Sequence, residues 1–300
     1  MISQNIKDNI RRRFPKIWKF LTEVFSYYLR GTLNLLIGKK ADTQDYWARC
    51  REVCIDPNNK HIPRVKDAGK IIDGNLIMHN GLKVKMGEFA YCSDFAYIIL
   101  TRNRGVHEPQ EERVFREVLG YMPENATMIE LGSYWAFYSM WFKKEIKNAN
   151  CYMIEPEEKF LLSGKENFKL NNMDGTFIKG GIGKNRIHID DFIEKNGIET
   201  VHILHSDIQG VELEMLHTCE QSIGKNKIWY FFISSHTQKL HYQCMHFLKN
   251  HGYAIVTSAD FDFGTYCYDG VLVARRTNIK GMDYIEIPLR RNSRYQTCLK

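Results

Sequence analysis

Three acids and one histidine each stand at the end of an apolar run: Glu130 within TMIEL before Gly132, Glu155 after CYMI, Asp207 after VHILHS, and His236 after KIWYFFISS. Apolar runs of this kind read as buried parallel strands, and in open α/β sheets ligands bind at the carboxyl ends of such strands. Gly132 lets the first run turn without a Cβ, so that free N–H groups of a helix start come beside the ligand. Glu155 lies 23 residues after Gly132, the distance at which a second-strand carboxylate meets a ribose bound over the first turn. That arrangement serves NAD, FAD and S-adenosylmethionine alike. The residues after Gly132 are Ser133, Tyr134, Trp135 and Ala136 rather than GxGxxG, which disfavours a pyrophosphate and points to a cofactor without phosphates.

For the chemistry itself, His236 is the expected general base, since a histidine accepts a hydroxyl proton near neutrality. Asp207 would orient the reacting hydroxyl, hold the cofactor's amino group or bind a metal; its bland alternative is a helix N-cap. Ser133 and Tyr134 flank the cofactor turn. Glu130, buried at a strand end, must be bonded either to the cofactor's amino-acid part or to a helix N-terminus. Gly181 and Ile182 are expected against an adenine, Glu108 (with Gln110 and Glu112 beside it) over the methionine end, and Gln209 and His79 toward the substrate. Asp207 with Asp190 or Asp191 could hold Mg²⁺, but solvated or capping acids are the commoner reading, so no metal is assigned.

These residues need a frame. TMIEL passes directly into an aromatic helix, and further strands are expected at 151–156, 176–181, 201–210 and 227–236, each followed by a helix. Residues 253–260 and 269–276 then form two strands with no helix between them. The pattern predicts an α/β, Rossmann-like class I fold: a seven-stranded, mostly parallel sheet with an antiparallel last strand, plus an N-terminal helical and hairpin extension. Divided by sequence, 1–40 is a basic amphipathic arm, 41–104 a lid or substrate-binding extension, 105–278 the catalytic domain and 279–300 a C-terminal tail. Asp73-Gly74 and Asn80-Gly81 predict hairpin turns within the extension, and Pro109 a helix start before the first strand.

The chain has 300 residues with a formal charge of +7, and residues 1–40 hold nine Lys/Arg against Asp8 and Glu23, so the rest is neutral. A neutral body argues against a nucleic-acid groove. Phe14, Ile17, Trp18, Leu21, Val24, Phe25 and Tyr28 recur at helical spacing within the basic arm, a face suited to the body, to a second subunit or to an anionic membrane surface. Eight cysteines without an ordered framework fit a reducing, cytoplasmic setting, and no run approaches a spanning helix.

Over residues 105–275 the chain resembles the FkbM family of S-adenosylmethionine-dependent methyltransferases. The resemblance rests on Glu130-Leu131-Gly132 followed by FYS (137–139), on IEP (154–156), on IDDF (189–192) and above all on SDIQGVELEML (206–216). The first turn departs from the family, which has Gly-Ala-Asn and then a second glycine. The resemblance implies S-adenosylmethionine as cofactor and O-methylation of a sugar hydroxyl in a glycan, glycolipid or nucleotide sugar. The alternative is a non-catalytic glycan or membrane-surface binding module on a degenerate fold of the same type.

Overall fold

The computed structural model describes residues 12–25, 46–85 and 94–291, with residues 29 and 33 singly. In chain order the elements are helix α1 (Pro15–Val24) and α2 (Tyr46–Ile55), strands β1 (Ile71–Ile72), β2 (Asn75–Ile77) and β3 (Lys83–Lys85), then α3 (Asp94–Arg102) and α4 (Pro109–Leu119). The alternating part follows: β4 (Thr127–Leu131), α5 (Phe137–Glu145), β5 (Asn150–Glu155), α6 (Glu158–Leu170), β6 (Thr176–Lys179) and α7 (Ile189–Lys195). It continues with β7 (Val201–Ser206), α8 (Glu212–His217), α9 (Glu220–Gly224), β8 (Ile228–Ser235), α10 (Gln238–Asn250), β9 (Tyr253–Ala259) and β10 (Gly270–Arg276).

The large sheet runs β6-β5-β4-β7-β8-β10-β9, parallel except for β10, which is antiparallel to both neighbours. This is the expected seven-stranded sheet with its last strand inserted as a hairpin. The order reverses between β4 and β7, which is where open sheets of this kind place a ligand crevice, at the strands' carboxyl ends. Both faces of the sheet are covered, as its unbroken apolar strands require. One core joins Phe115, Phe137, Trp141 and Phe232; the other joins Ile129, Leu204, Leu216 and Leu248.

One expectation is corrected here. The single helix read from 211 to 223 is two short helices, because the Asp190 carboxylate accepts from Gln221 N and Ser222 N (2.9 and 2.8 Å) and so starts α9 afresh. The stretch 41–104 holds α2 and α3 beside its hairpin turns. The hairpins themselves are present: Asp73 and Gly74 turn with φ 51° and 74° between β1 and β2, and Gly81, φ 86°, lies in the loop before β3. This small sheet is tied to α6, whose Asn171 and Asn167 side chains accept from Lys83 N and Lys85 N. Residues 279–291 continue over the body, with Met282 N donating to Tyr230 Oη and Ile285 N to Val256 O.

In α1, Ile17 is 54% exposed, and Phe14 and Phe25 are exposed with it. Most of the arm read from the sequence lies outside the described residues. No helix among the described residues is long and apolar enough to cross a membrane.

His241 ties α10 to the sheet. It is fully buried, and its Nδ1 and Nε2 share hydrogen bonds of 2.8 Å with Ser235 Oγ and Ser258 Oγ. Burial, opposed only by Asp260, takes its pKa down to about 4. The unfolded chain binds this proton near pH 6.5 and the folded chain only near 4, so stability is lost as pH falls between them, by about 1.4 kcal/mol per pH unit. Urea unfolding at pH 7, 6 and 5 should show His241→Gln losing less stability per pH unit than the parent.

Candidate functional site

The site is built on the turn after β4. Gly132 N and Ser133 N both donate to Ile154 O of β5 (2.9 and 3.3 Å), while Asp207 N donates to Leu131 O (3.0 Å). The turn is thereby pinned between its two neighbouring strands. Gly132 has φ 68°, and a Cβ there would lie 1.8 Å from Asp207 O, so only glycine fits. Tyr134 and Ala136 also take left-handed conformations, φ 47° and 61°, each at a cost of about 1 kcal/mol or more for a residue with a Cβ. SYWA thus follows a turn that glycine would make with less strain. Its aromatic rings point into packing: Tyr134 meets Phe160 edge-on at 4.6 Å, and Trp135 is buried against His107.

Glu155 accepts from Tyr134 N at 3.1 Å and from Glu157 N at 2.9 Å, one on each carboxylate oxygen. Burial raises its pKa, and the two N–H groups oppose that. Each oxygen retains a further lone pair, which is what a ribose hydroxyl would use. Ser133 Oγ and Ser206 Oγ, at the ends of β4 and β7, are buried with no hydrogen-bond partner among the described residues. A strand-end carboxylate and two orphaned hydroxyls around the crevice fit the polar parts of S-adenosylmethionine.

Glu130 makes the structural bond of its two readings. Its Oε2 accepts from Ser139 N at 3.0 Å in the first turn of α5; burial raises its pKa to about 6, with His205 and that bond opposing. Glu108 belongs to a buried polar layer under the crevice. Tyr138 Oη donates to Glu108 Oε2 (2.8 Å), His107 lies between Glu108 and Glu112 (3.2 and 2.8 Å), and His205 Nε2 lies 2.6 Å from Glu111 Oε1. Ser234 Oγ donates to the other Glu111 oxygen at 3.1 Å. Burial works against the Glu108 carboxylate, but His107 and Tyr138 carry its pKa down to about 2. Gln110, expected beside Glu108, instead bonds Gly264 O, Pro288 O and Tyr266 N.

His79 is joined to this layer rather than to an open surface. It is 2% exposed, 3.2 Å from Glu112 Oε2, and packed edge-on against Trp141. It also lines a cleft of about 600 Å³ with Arg64, Arg116, Leu119 and Glu145. Ile182 is buried in the core with Ile154 and Ile189, and Gly181 lies against Arg186.

Asp207 and His236 do come together at the ends of β7 and β8. His236 Nε2 is 3.2 Å from Asp207 Oδ1 and 3.5 Å from Asp269 Oδ1, and Nδ1 is 2.8 Å from Glu212 Oε1. Burial alone would lower the imidazole's pKa, yet Asp207, Glu212 and Asp269 carry it up to about 10. The residue expected as general base is thereby enclosed by three carboxylates. Gln209, in a left-handed turn at φ 58°, donates from Nε2 to Asp207 Oδ1 at 3.0 Å and so steadies that carboxylate. Glu212, in the first turn of α8, is fully buried and accepts from Ile208 N and Gly210 N as well as facing His236. Asp190, a possible oxygen ligand beside Asp207 for which capping was the commoner reading, accepts from the first-turn N–H groups of α9.

Sequence reasoning passed over His107, Glu111, Tyr138, His205 and Asp269. A signal existed for Glu111, which stands three and four residues before Val114 and Phe115 and so shares their buried stripe. Asp269 was legible from topology: an antiparallel β10 pairs Gly270 with Ser235, which sets the preceding residue beside His236.

Residues 161–255 match the family model described as the methyltransferase FkbM domain. Among curated proteins none matches the sequence. Similar solved structures include a precorrin-6y C5,15-methyltransferase from Geobacter metallireducens, 13% identical over 55% of this chain and 87% of that one, TM-score 0.41. Another is M. capricolum TrmK in complex with S-adenosyl-homocysteine, 15% identical over 58% and 71%, TM-score 0.40. A third is the ribosomal protein L11 methylase of Lactobacillus delbrueckii, 10% identical over 58% and 81%, TM-score 0.42. The match falls on the segment that holds IDDF and SDIQGVELEML, so the part of the chain that carries those motifs is similar to the methyltransferase FkbM domain.

Proposed function

We propose that this protein is an S-adenosylmethionine-dependent O-methyltransferase whose acceptor is a sugar hydroxyl of a glycan, glycolipid or nucleotide sugar. The observation that carries this reading is the convergence of Gly132, Glu155 and Asp207 at the reversal of strand order, within a chain whose residues 161–255 match the FkbM domain. S-adenosylmethionine, when bound, supplies an electrophilic methyl on a sulfonium. Glu155 and the Ser133 and Ser206 hydroxyls would hold its polar parts, with the Gly132 turn against its backbone-facing side. Asp207, 32% exposed at its side chain, is the acid that an acceptor can reach. It would take the hydrogen bond of the acceptor hydroxyl and receive its proton as the new C–O bond forms and the S–C bond breaks. Positioning and one proton acceptor suffice for such a transfer. The domain reading of residues 41–104 as a substrate-binding extension, action in the cytoplasm and peripheral membrane contact through residues 1–40 belong to the same proposal. The protein would act as a monomer or homo-oligomer without nucleic acid.

Incubation with labelled S-adenosylmethionine and a panel of nucleotide sugars and short glycans tests it. Label should enter at least one saccharide, and Asp207→Asn should lower turnover by about 100-fold or more, with cofactor affinity nearly unchanged. Label transferred only to protein or nucleic acid would refute the acceptor class.

A further inference from the structure

We propose that Asp207, His236 and Asp269 form a divalent-cation site at the carboxyl end of the sheet. Three different strands deliver them: Asp207 follows β7, His236 follows β8, and Asp269 precedes the antiparallel β10. One ligand atom from each lies within 4.8 Å of the others. The separations from His236 Nε2 to the two carboxylate oxygens, 3.2 and 3.5 Å, are close to the edge of an octahedron with bonds of about 2.1–2.4 Å. Nε2 itself is buried, and among the described residues these two carboxylates are the acids it faces.

The ring is set for coordination by what lies behind it. His236 Nδ1 meets Glu212 Oε1 at 2.8 Å, and that oxygen is fixed by Ile208 N (3.3 Å) and Gly210 N (3.1 Å). Glu212 is fully buried, and its Oε2 has no hydrogen-bond partner among the described residues. A carboxylate that takes the Nδ1 proton turns the Nε2 lone pair outward, which is the arrangement that orients metal-binding histidines. Here Nε2 faces two carboxylates, so a cation taking the place of the Nε2 proton would be held by one imidazole nitrogen and two acid oxygens. Gln209 holds Asp207 Oδ1 at 3.0 Å, and Arg49, 3.6 Å over the Tyr268 ring, adds positive charge near Asp269. Two carboxylates and one imidazole suit Mn²⁺ or Mg²⁺ among common divalent ions. Three protein ligands leave positions open on such an ion. If the proposed methyl transfer holds, on which this last step rests, an acceptor hydroxyl would take one of them and lose its proton more readily.

Mn²⁺ binding by the full chain, without cofactor or sugar, is the test, read by electron paramagnetic resonance and by the shift of thermal unfolding. One Mn²⁺ per chain is expected, with affinity falling about tenfold or more in Asp269→Asn and in Asp207→Asn. Mn²⁺ should raise the unfolding temperature of the parent but of neither variant. Glu124→Gln, which alters only an exposed pair with Lys147, should bind as the parent does. Absence of binding at millimolar Mn²⁺, or equal affinity in parent and both variants, would overturn the site. A chain that binds Mn²⁺ but not S-adenosylmethionine would keep this site and lose the methyltransferase reading; the reverse result would do the opposite.

Discussion

Replacing Gly132 by alanine is expected to destabilise the chain by about 3 kcal/mol or more and to abolish cofactor binding. The added methyl would lie 1.8 Å from Asp207 O and 2.8 Å from Asp207 C, both backbone atoms of the adjoining strand end. Neither is the far end of a flexible side chain that could swing away. Relief requires β4 and β7 to part at the end where Asp207 N bonds Leu131 O, which moves Asp207 itself. The left-handed φ of 68° adds its own penalty. Gly210→Ala is the comparison: its φ is 106°, but nothing lies within 4 Å of the new methyl, so only about 1 kcal/mol of backbone strain is expected. Chemical denaturation of the two variants measures the difference. Equal losses would mean that the contact with Asp207 contributes nothing.

Glu112→Ala should have the second largest effect, about 3–5 kcal/mol, because it strips a counter-charge from His107 and the acceptor from two buried backbone N–H groups. Glu112 is fully buried; it faces His107 Nδ1 at 2.8 Å and His79 Nε2 at 3.2 Å and accepts from His107 N and Glu108 N. Burial opposes the charge on both His107 and its acids, yet the pairing wins: His107 is raised well above its ordinary value and Glu112 is lowered. The signs fix the pH window. The histidine's contribution is present below about pH 6.5 and lost as pH rises through its folded pKa; the acid's is present above about pH 4.5 and lost as pH falls below it. The stabilisation is therefore fullest between those values, and melts near pH 5.5 should show the largest gap between parent and variant. Glu112→Gln keeps an acceptor for the two backbone N–H groups and leaves Glu108 beside His107, so it should cost less than alanine. A loss below about 1 kcal/mol for Glu112→Ala would contradict a charged pair at this place.

Much of the frame was legible because its signals are local. TMIEL, CYMIE and VHILHS are apolar runs that make sense only as buried strands, and Gly132 and Asp73-Gly74 are turn chemistry that depends on no distant partner. The terminal pair of strands without an intervening helix was enough to expect β10 inserted antiparallel, and it lies so.

The site was legible only in part, since its partners are set by contacts far apart in sequence. Asp207 and His236 could be placed at strand ends, but the number of acids around His236 could not. Glu212 reads as a helix-start acid and Asp269 as the first half of a turn, until the fold gathers them. That gathering sets the imidazole at the centre of a carboxylate cluster. His107 and His205 were hidden for the same reason, and so were the partners of Glu111 and Glu112. Charged residues are expected at the surface, and nothing in the local sequence states that each would find its opposite 94 residues away, as His205 does in Glu111.

The most direct measurement of the central claim is a calorimetric titration of the chain with S-adenosylmethionine, in parallel with Glu155→Ala. One site per chain in the micromolar range is expected, weakened about tenfold or more when the Glu155 carboxylate is removed. No heat of binding at millimolar S-adenosylmethionine, from a chain shown to be folded, would contradict the account.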